Sequence, residues 1–203
     1  MRLTERDLEL LRWINGHGFV TARQGADWMG TCLQAGHRRM GLLHRGGYLK
    51  RQRLFHGAER AYWLSTLGQQ VSGDTLSCPE AISPATYRHH WMMVDLAHDL
   101  ITKTKGHFTP ERRLREQRAI KGVGAEGHMP DGLLKVKSKK PIAIELELTL
   151  KGRERLEGIV EGYLDRDLSG VWYFVTSDQI RRRLTSIIDG ERLFKIKPWQ
   201  PRS

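Results

Sequence analysis

The run Ile142-Ala143-Ile144-Glu145-Leu146-Glu147 alternates in character along its length. Successive side chains of a strand point to opposite faces, so Ile142, Ile144, Leu146 and Leu148 share one face. Ala143, Glu145, Glu147 and Thr149 share the other. One side of a sheet is thereby committed to a core, and two carboxylates stand side by side on the reverse. Such neighbours repel unless a cation, a proton or basic groups relieve them. His128-Met129-Pro130-Asp131-Gly132 lies upstream and Lys151 downstream. Hard oxygen ligands of the kind supplied by Asp131, Glu145 and Glu147 suit Mg²⁺ or Mn²⁺, with phosphate oxygens completing the shell. Lys151 would stabilise charge developing on the phosphate or orient an attacking water. Together these are the ingredients of a metal-dependent phosphodiesterase centre. A plainer reading uses the same residues: Pro-Asp-Gly favours a turn, and Glu-Leu-Glu-Leu suits a half-exposed strand.

The surroundings follow an α/β rhythm. Leu133 to Lys137 and Ile142 to Leu148 are predicted strands, joined by Ser138-Lys139-Lys140-Pro141. Gly152 to Asp165 is a predicted helix with Leu156, Ile159, Val160, Tyr163 and Leu164 inward. Val171 to Val175 is continuously apolar, as a buried parallel strand should be. A helix from Asp178 to Ile188 and a strand from Leu193 to Lys197 complete the series. Upstream, Glu111 to Arg118 is short, charged and helical in composition, and His89 to Leu100 is a helix with Met92, Leu96 and Leu100 in one core stripe. Paired His89-His90 is not the His-hydrophobic-His metal motif of tyrosine relaxases, which excludes that class of nicking enzyme.

The first 70 residues are organised differently. Thr4 and Asp7 cap a helix carrying Leu8, Leu11 and Ile14, which Gly16 and Gly18 end. Val20-Thr21 starts a short second helix with Ala22, Ala26 and Met29 apolar, ended by Gly30. Thr31 caps a third, with Leu33, His37, Met40, Leu42 and Leu43, stopped by Gly46-Gly47. Tyr48 to Phe55 and Arg60 to Leu64 read as strands around the turn His56-Gly57-Ala58-Glu59. Three helices and a hairpin predict a winged helix-turn-helix, the third helix entering the major groove of duplex DNA and the hairpin lying on the backbone.

Charge distribution agrees with a polyanionic partner. The chain carries a formal net charge of +11. Between residues 31 and 60 stand Arg38, Arg39, Arg45, Lys50, Arg51, Arg53 and Arg60 against Glu59 alone. Gln34, His37, Arg38, Arg39 and Arg45 are the expected DNA contacts of the third helix, and Lys50, Arg51, Arg53 and Arg60 the expected phosphate contacts. Residues 71 to 86, rich in Ser, Gly and Pro, are the predicted linker, giving domains at 1–70 and 87–203. No apolar run is long enough to span a membrane, and Met1-Arg2-Leu3-Thr4-Glu5 opens no signal-peptide core. Cys32 and Cys78 are far apart and read as reduced thiols, so a cytoplasmic protein is expected.

Pro130-Asp131 followed by Glu145-Leu146-Glu147 resembles the restriction-endonuclease-like (PD-(D/E)xK) nuclease superfamily, whose signature is Pro-Asp, a gap, then Glu-x-Lys. Glu147 occupies the usual lysine position, which passes the lysine role to Lys151. A winged helix, the His-Trp helix, Phe108 to Arg115, Pro130-Asp131-Gly132, the Glu-x-Glu strand and Tyr163, in that order, resemble the replication-relaxation family and the MobC-type relaxases of mobilisable plasmids. The resemblance implies an α+β and α/β chain, a winged helix before a mixed-sheet nuclease core, that nicks DNA at an origin of transfer alongside other mobilisation or relaxosome proteins. It implies that Asp131 and Glu145 hold the metal, that Glu147 binds it directly or through water, and that Lys151 acts on the transition state. His128 has two readings, orienting water or phosphate or serving as a hydrogen-bonded structural residue. Glu111 is either a further carboxylate of the centre or a solvated surface glutamate, and Tyr163 reads as core. Two other functions use the same chain: a DNA-binding regulator whose nuclease fold no longer cuts, and an enzyme of the restriction or transposition type that cuts both strands.

Overall fold

The structure is a computed structural model and describes residues 2–121, 127–137, 139–188 and 190–201. Met1 and Ser138, named above in the N-terminus and in the turn between two strands, lie outside the described residues. The chain mixes helices with two separate sheets and divides into two units, Met1–His98 and Asp99–Ser203.

In the first unit, helix α1 (Glu5–His17) opens with the expected capping box. Asp7 Oδ2 accepts from the Thr4 amide at 2.7 Å, and Thr4 Oγ1 accepts from the Asp7 amide at 3.3 Å. Leu10, Leu11 and Ile14 are fully buried. Burying a side chain of this size stabilises by roughly 1.5–3 kcal/mol. Val20–Thr21 form a short strand, β1, rather than the start of a helix. Thr21 also caps α2 (Ala22–Met29) through a second box with Gln24. Helix α3 (Leu33–Arg45) crosses α2 closely: a Cβ on Gly36 would meet the Ala26 Cβ at 2.4 Å, so only glycine fits there. The N-cap of α3 is Cys32, without a side-chain cap bond, and not the expected Thr31. Strands β2 (Leu49–Gln52) and β3 (Ala61–Leu64) pair antiparallel, and β1 joins the far edge of β3 to give the order β1-β3-β2. Both hairpin strands are shorter than expected, because residues 53–60 leave the ladder.

The predicted linker is instead part of this unit. Helix α4 (Thr66–Ser72) runs into it, capped by the Ser65 hydroxyl, and α5 (Pro84–Thr104) starts within it. Between them, Asn15 Nδ2 donates to Asp74 Oδ2 at 3.1 Å and to the Leu76 carbonyl at 2.7 Å. Leu76 is buried. These bonds hold the segment on α1, and the division between units falls inside α5.

The second unit is built on a five-stranded sheet. Its strands are β4 (His107–Pro110), β5 (Gly132–Lys135), β6 (Ile142–Glu147), β7 (Gly170–Val175) and β8 (Phe194–Pro198), in that spatial order. The pairs β4–β5 and β5–β6 are antiparallel, and β6–β7 and β7–β8 are parallel. Helix α6 (Glu111–Ile120) follows β4, α7 (Arg153–Leu164) links β6 to β7, and α8 (Asp178–Ile188) links β7 to β8. Ala143, Val171, Tyr173 and Val175 form one core with Leu156, Ile159, Val160 and Tyr163 of α7 and Ile180, Leu184 and Ile188 of α8. Glu145 and Glu147 belong to that face by alternation. Ile144 and Leu146 on the reverse are buried as well. Gly132 opens β5 rather than closing a turn, and Phe108 of β4 lies across it: a Cβ there would stand 2.1 Å from the Phe108 ring.

Candidate functional site

In the first unit, Gln34, His37, Arg38 and Arg45 of α3 are exposed, as are Lys50 and Arg51 of β2 and Arg53 and Arg60 of the loop after it. Arg39 departs from the expected set. It is half-buried, and its Nε donates to Asp7 Oδ1 at 2.6 Å while its second nitrogen bonds Asp7 Oδ2. Burial alone would raise the Asp7 pKa, but Arg39 and Thr4 outweigh it and hold that carboxyl below its usual range. Arg39 therefore fastens α3 to α1. Leu33 is 50 % exposed beside Gln34 and His37.

In the second unit, the chain brings His128, Asp131, Glu145, Glu147 and Lys151 into one cluster around the end of β6. Extending the β5–β6 register by two pairs places Pro130 opposite Leu146, and the Asp131 side chain takes over there. Its Oδ2 accepts from the Leu146 amide at 2.8 Å. Glu145 and Glu147 are 2 % and 3 % exposed, which overturns the half-exposed strand. Glu145 Oε1 accepts from the Tyr163 hydroxyl and lies 2.7 Å from His128 Nε2. Burial pushes the Glu145 carboxyl up to about 7, with His128 acting in the opposite direction and the Asp131 charge adding to the rise. The Tyr163 hydroxyl is raised by burial first and by Glu145 next.

Lys151 Nζ pairs with Glu147 Oε1. It stands before α7, whose N-cap is Gly152, and not within the helix. Glu111 opens α6, and its amide donates to the Asp131 carbonyl at 3.0 Å. Its carboxylate pairs with Arg115 on the same helix.

Tyr173 is the residue that sequence reading passes over. It sits beside Glu145 on the parallel neighbour β7. It is fully buried, yet its hydroxyl has no hydrogen-bond partner among the described residues. Burial and then the charges of Glu145, Glu147 and Asp131 push its pKa up. An orphaned buried hydroxyl facing three carboxylates is costly, and its place beside Glu145 is set by a strand register that the sequence does not display. The donor set Asp131, Glu145 and Glu147 matches a hard divalent cation in chemistry. In arrangement, no group of three or more His, Cys, Asp or Glu side chains among the described residues is poised to hold a metal ion. The oxygens are engaged by Leu146, His128, Tyr163 and Lys151 instead.

No family model, curated protein or solved structure matches this chain. Among the described residues, no helix is long and apolar enough to cross a membrane.

Proposed function

We propose that the chain binds duplex DNA through a winged helix-turn-helix and hydrolyses one phosphodiester with a restriction-endonuclease-like second unit. The burial of two adjacent glutamates, Glu145 and Glu147, on a sheet face otherwise given to core carries this reading. Buried carboxylates cost several kcal/mol where apolar residues would stabilise. Clusters of perturbed carboxylates of this kind collect at functional sites. Asp131, Glu145 and Glu147 would hold Mg²⁺ or Mn²⁺. The cation would supply charge stabilisation at the phosphate and a more acidic attacking water. Lys151 aligns Glu147 and brings positive charge to the reacting phosphate. His128 and Tyr163 orient the Glu145 carboxylate. On the DNA side, Gln34, His37 and Arg38 meet base edges, Leu33 offers apolar contact to a thymine methyl, and Lys50, Arg51, Arg53 and Arg60 meet phosphates. A role at an origin of transfer, with other mobilisation proteins, extends the same reading.

A second reading is favoured by the engagement of every carboxylate in the cluster. A DNA-binding regulator with a silent nuclease fold would keep Glu145 clamped by His128 and Tyr163 and Glu147 neutralised by Lys151. Supercoiled plasmids carrying candidate sites separate the two. The nuclease converts them to open circles with Mg²⁺ or Mn²⁺ and not with chelator, while the regulator leaves them supercoiled under both conditions. Linear product without an open-circular stage would identify an enzyme that cuts both strands.

A further inference from the structure

A cavity of about 280 Å³ opens in the second unit beside α6, the segment before β5 and the residues following α7. Leu114, Met129, Leu133 and Leu168 give it an apolar lining, and Arg118, Lys121 and Arg166 a cationic one. None of the described residues that line it is acidic. Its size lies near the lower end of small-molecule pockets, roughly 300 Å³. Its character fits a ligand with a flat, weakly polar body and an anionic edge. An unstacked base attached to its phosphate has both, because a base packs its flat face on apolar and guanidinium surfaces while phosphate seeks arginine and lysine.

The cavity adjoins the acidic cluster through shared residues. Tyr163 lines it and donates its hydroxyl to Glu145. Met129 and Pro130 line it and stand between His128 and Asp131 in the chain. Arg166 lies 4.7 Å from the Tyr163 ring centroid and donates to the His128 carbonyl, so its charge is held in place before a ligand arrives. Gln117 supplies an amide for a base edge.

We propose that this cavity receives one unstacked nucleotide of a single-stranded DNA segment, with the base against Met129, Leu133 and Leu168 and the phosphate toward Arg118, Lys121 and Arg166. The inference rests on the nucleic-acid reading above and is independent of cleavage. The test uses the full chain in chelator, with fluorescence anisotropy of a labelled single-stranded oligonucleotide. A deoxynucleoside monophosphate and inorganic phosphate serve as separate competitors. Gln117→Trp fills the cavity from the exposed side of α6, and Lys121→Glu reverses one of its charges. Each variant should bind the single strand at least tenfold more weakly than wild type and bind duplex DNA as before. The mononucleotide should compete at concentrations where inorganic phosphate does not. Wild-type single-strand affinity in both variants overturns the proposal, as does equal competition by phosphate alone. Loss of single-strand binding in the variants of a chain that never cuts plasmid would support the cavity and sink the nuclease.

Discussion

Glu145 is a carboxylate kept where water does not reach, and its proton is held more tightly in the folded chain than in the unfolded one. A group raised in this way contributes stability below its ordinary range, and that contribution fades as pH rises from about 4.5 to about 7. Glu145→Gln keeps an oxygen that accepts from Tyr163 and His128 but cannot ionise. Between pH 4.5 and 8 the variant should therefore gain on wild type by roughly 3 kcal/mol. Denaturant midpoints across that range check it, and a difference that stays flat with pH would mean that Glu145 ionises like a solvated glutamate. Asp7 runs the opposite way. Its folded pKa is lowered, so its contribution is complete above the ordinary carboxylate range and is lost as pH falls through the folded value. Arg39→Ala should remove much of that acid sensitivity together with stability, read from the same midpoints. Lys151 carries the catalytic expectation: Lys151→Ala should slow plasmid nicking by roughly two to three orders of magnitude. A normal rate in that variant would place the lysine outside the chemistry.

At the scale of elements, the long periodic segments were legible, and among the short ones β1, β4 and α4 were not. The apolar spacing of α7, α8 and α1 and the unbroken apolar run of β7 state their own burial, and all four occur within a residue or two of the expected positions, although Leu164, expected inward on α7, is 48 % exposed. Strands β1 and β4 span two and four residues, too short for a period, and they exist because β3 and β5 supply their hydrogen bonds. Helix α4 had a signal in Ser65, but the Ser, Gly and Pro content downstream disguised a segment that Asn15 and Gln69 hold in place. The site divided similarly. Asp131, Glu145, Glu147 and Lys151 could be read together because one strand and its flanks carry them. Tyr173 could not, because its relation to Glu145 depends on the register between β6 and β7. The tight crossing of α2 and α3 gives a prediction of its own. Gly36→Ala should destabilise by about 1–3 kcal/mol, because the Ala26 Cβ and the Ala22 carbonyl leave no room. Thermal unfolding of a 1–98 fragment checks this, and an unchanged midpoint would mean that the helices can separate without cost.

For the whole molecule, the proposed function places binding and chemistry in different units. Residues 1–98, rather than the 70 expected from composition, form the first compact unit, which includes the 71–83 segment held on α1. That fragment should bind duplex DNA with an affinity that falls steeply with salt, since each neutralised phosphate releases counterion. Charge reversal of Arg38, Arg51 and Arg53 together should abolish it, as read by mobility shift at several salt concentrations. Fragment binding that ignores salt would contradict the basic-surface assignment. The proposed nuclease reading requires that Asp131, Glu145 and Glu147 take up a divalent cation. Electron paramagnetic resonance of free Mn²⁺, titrated into the full chain, measures this directly. Wild type should withdraw Mn²⁺ from solution, whereas Asp131→Ala and Glu145→Ala, shown to be folded by near-ultraviolet circular dichroism, should leave it free. Equal Mn²⁺ uptake by wild type and both folded variants, or none by wild type at millimolar Mn²⁺, would contradict it.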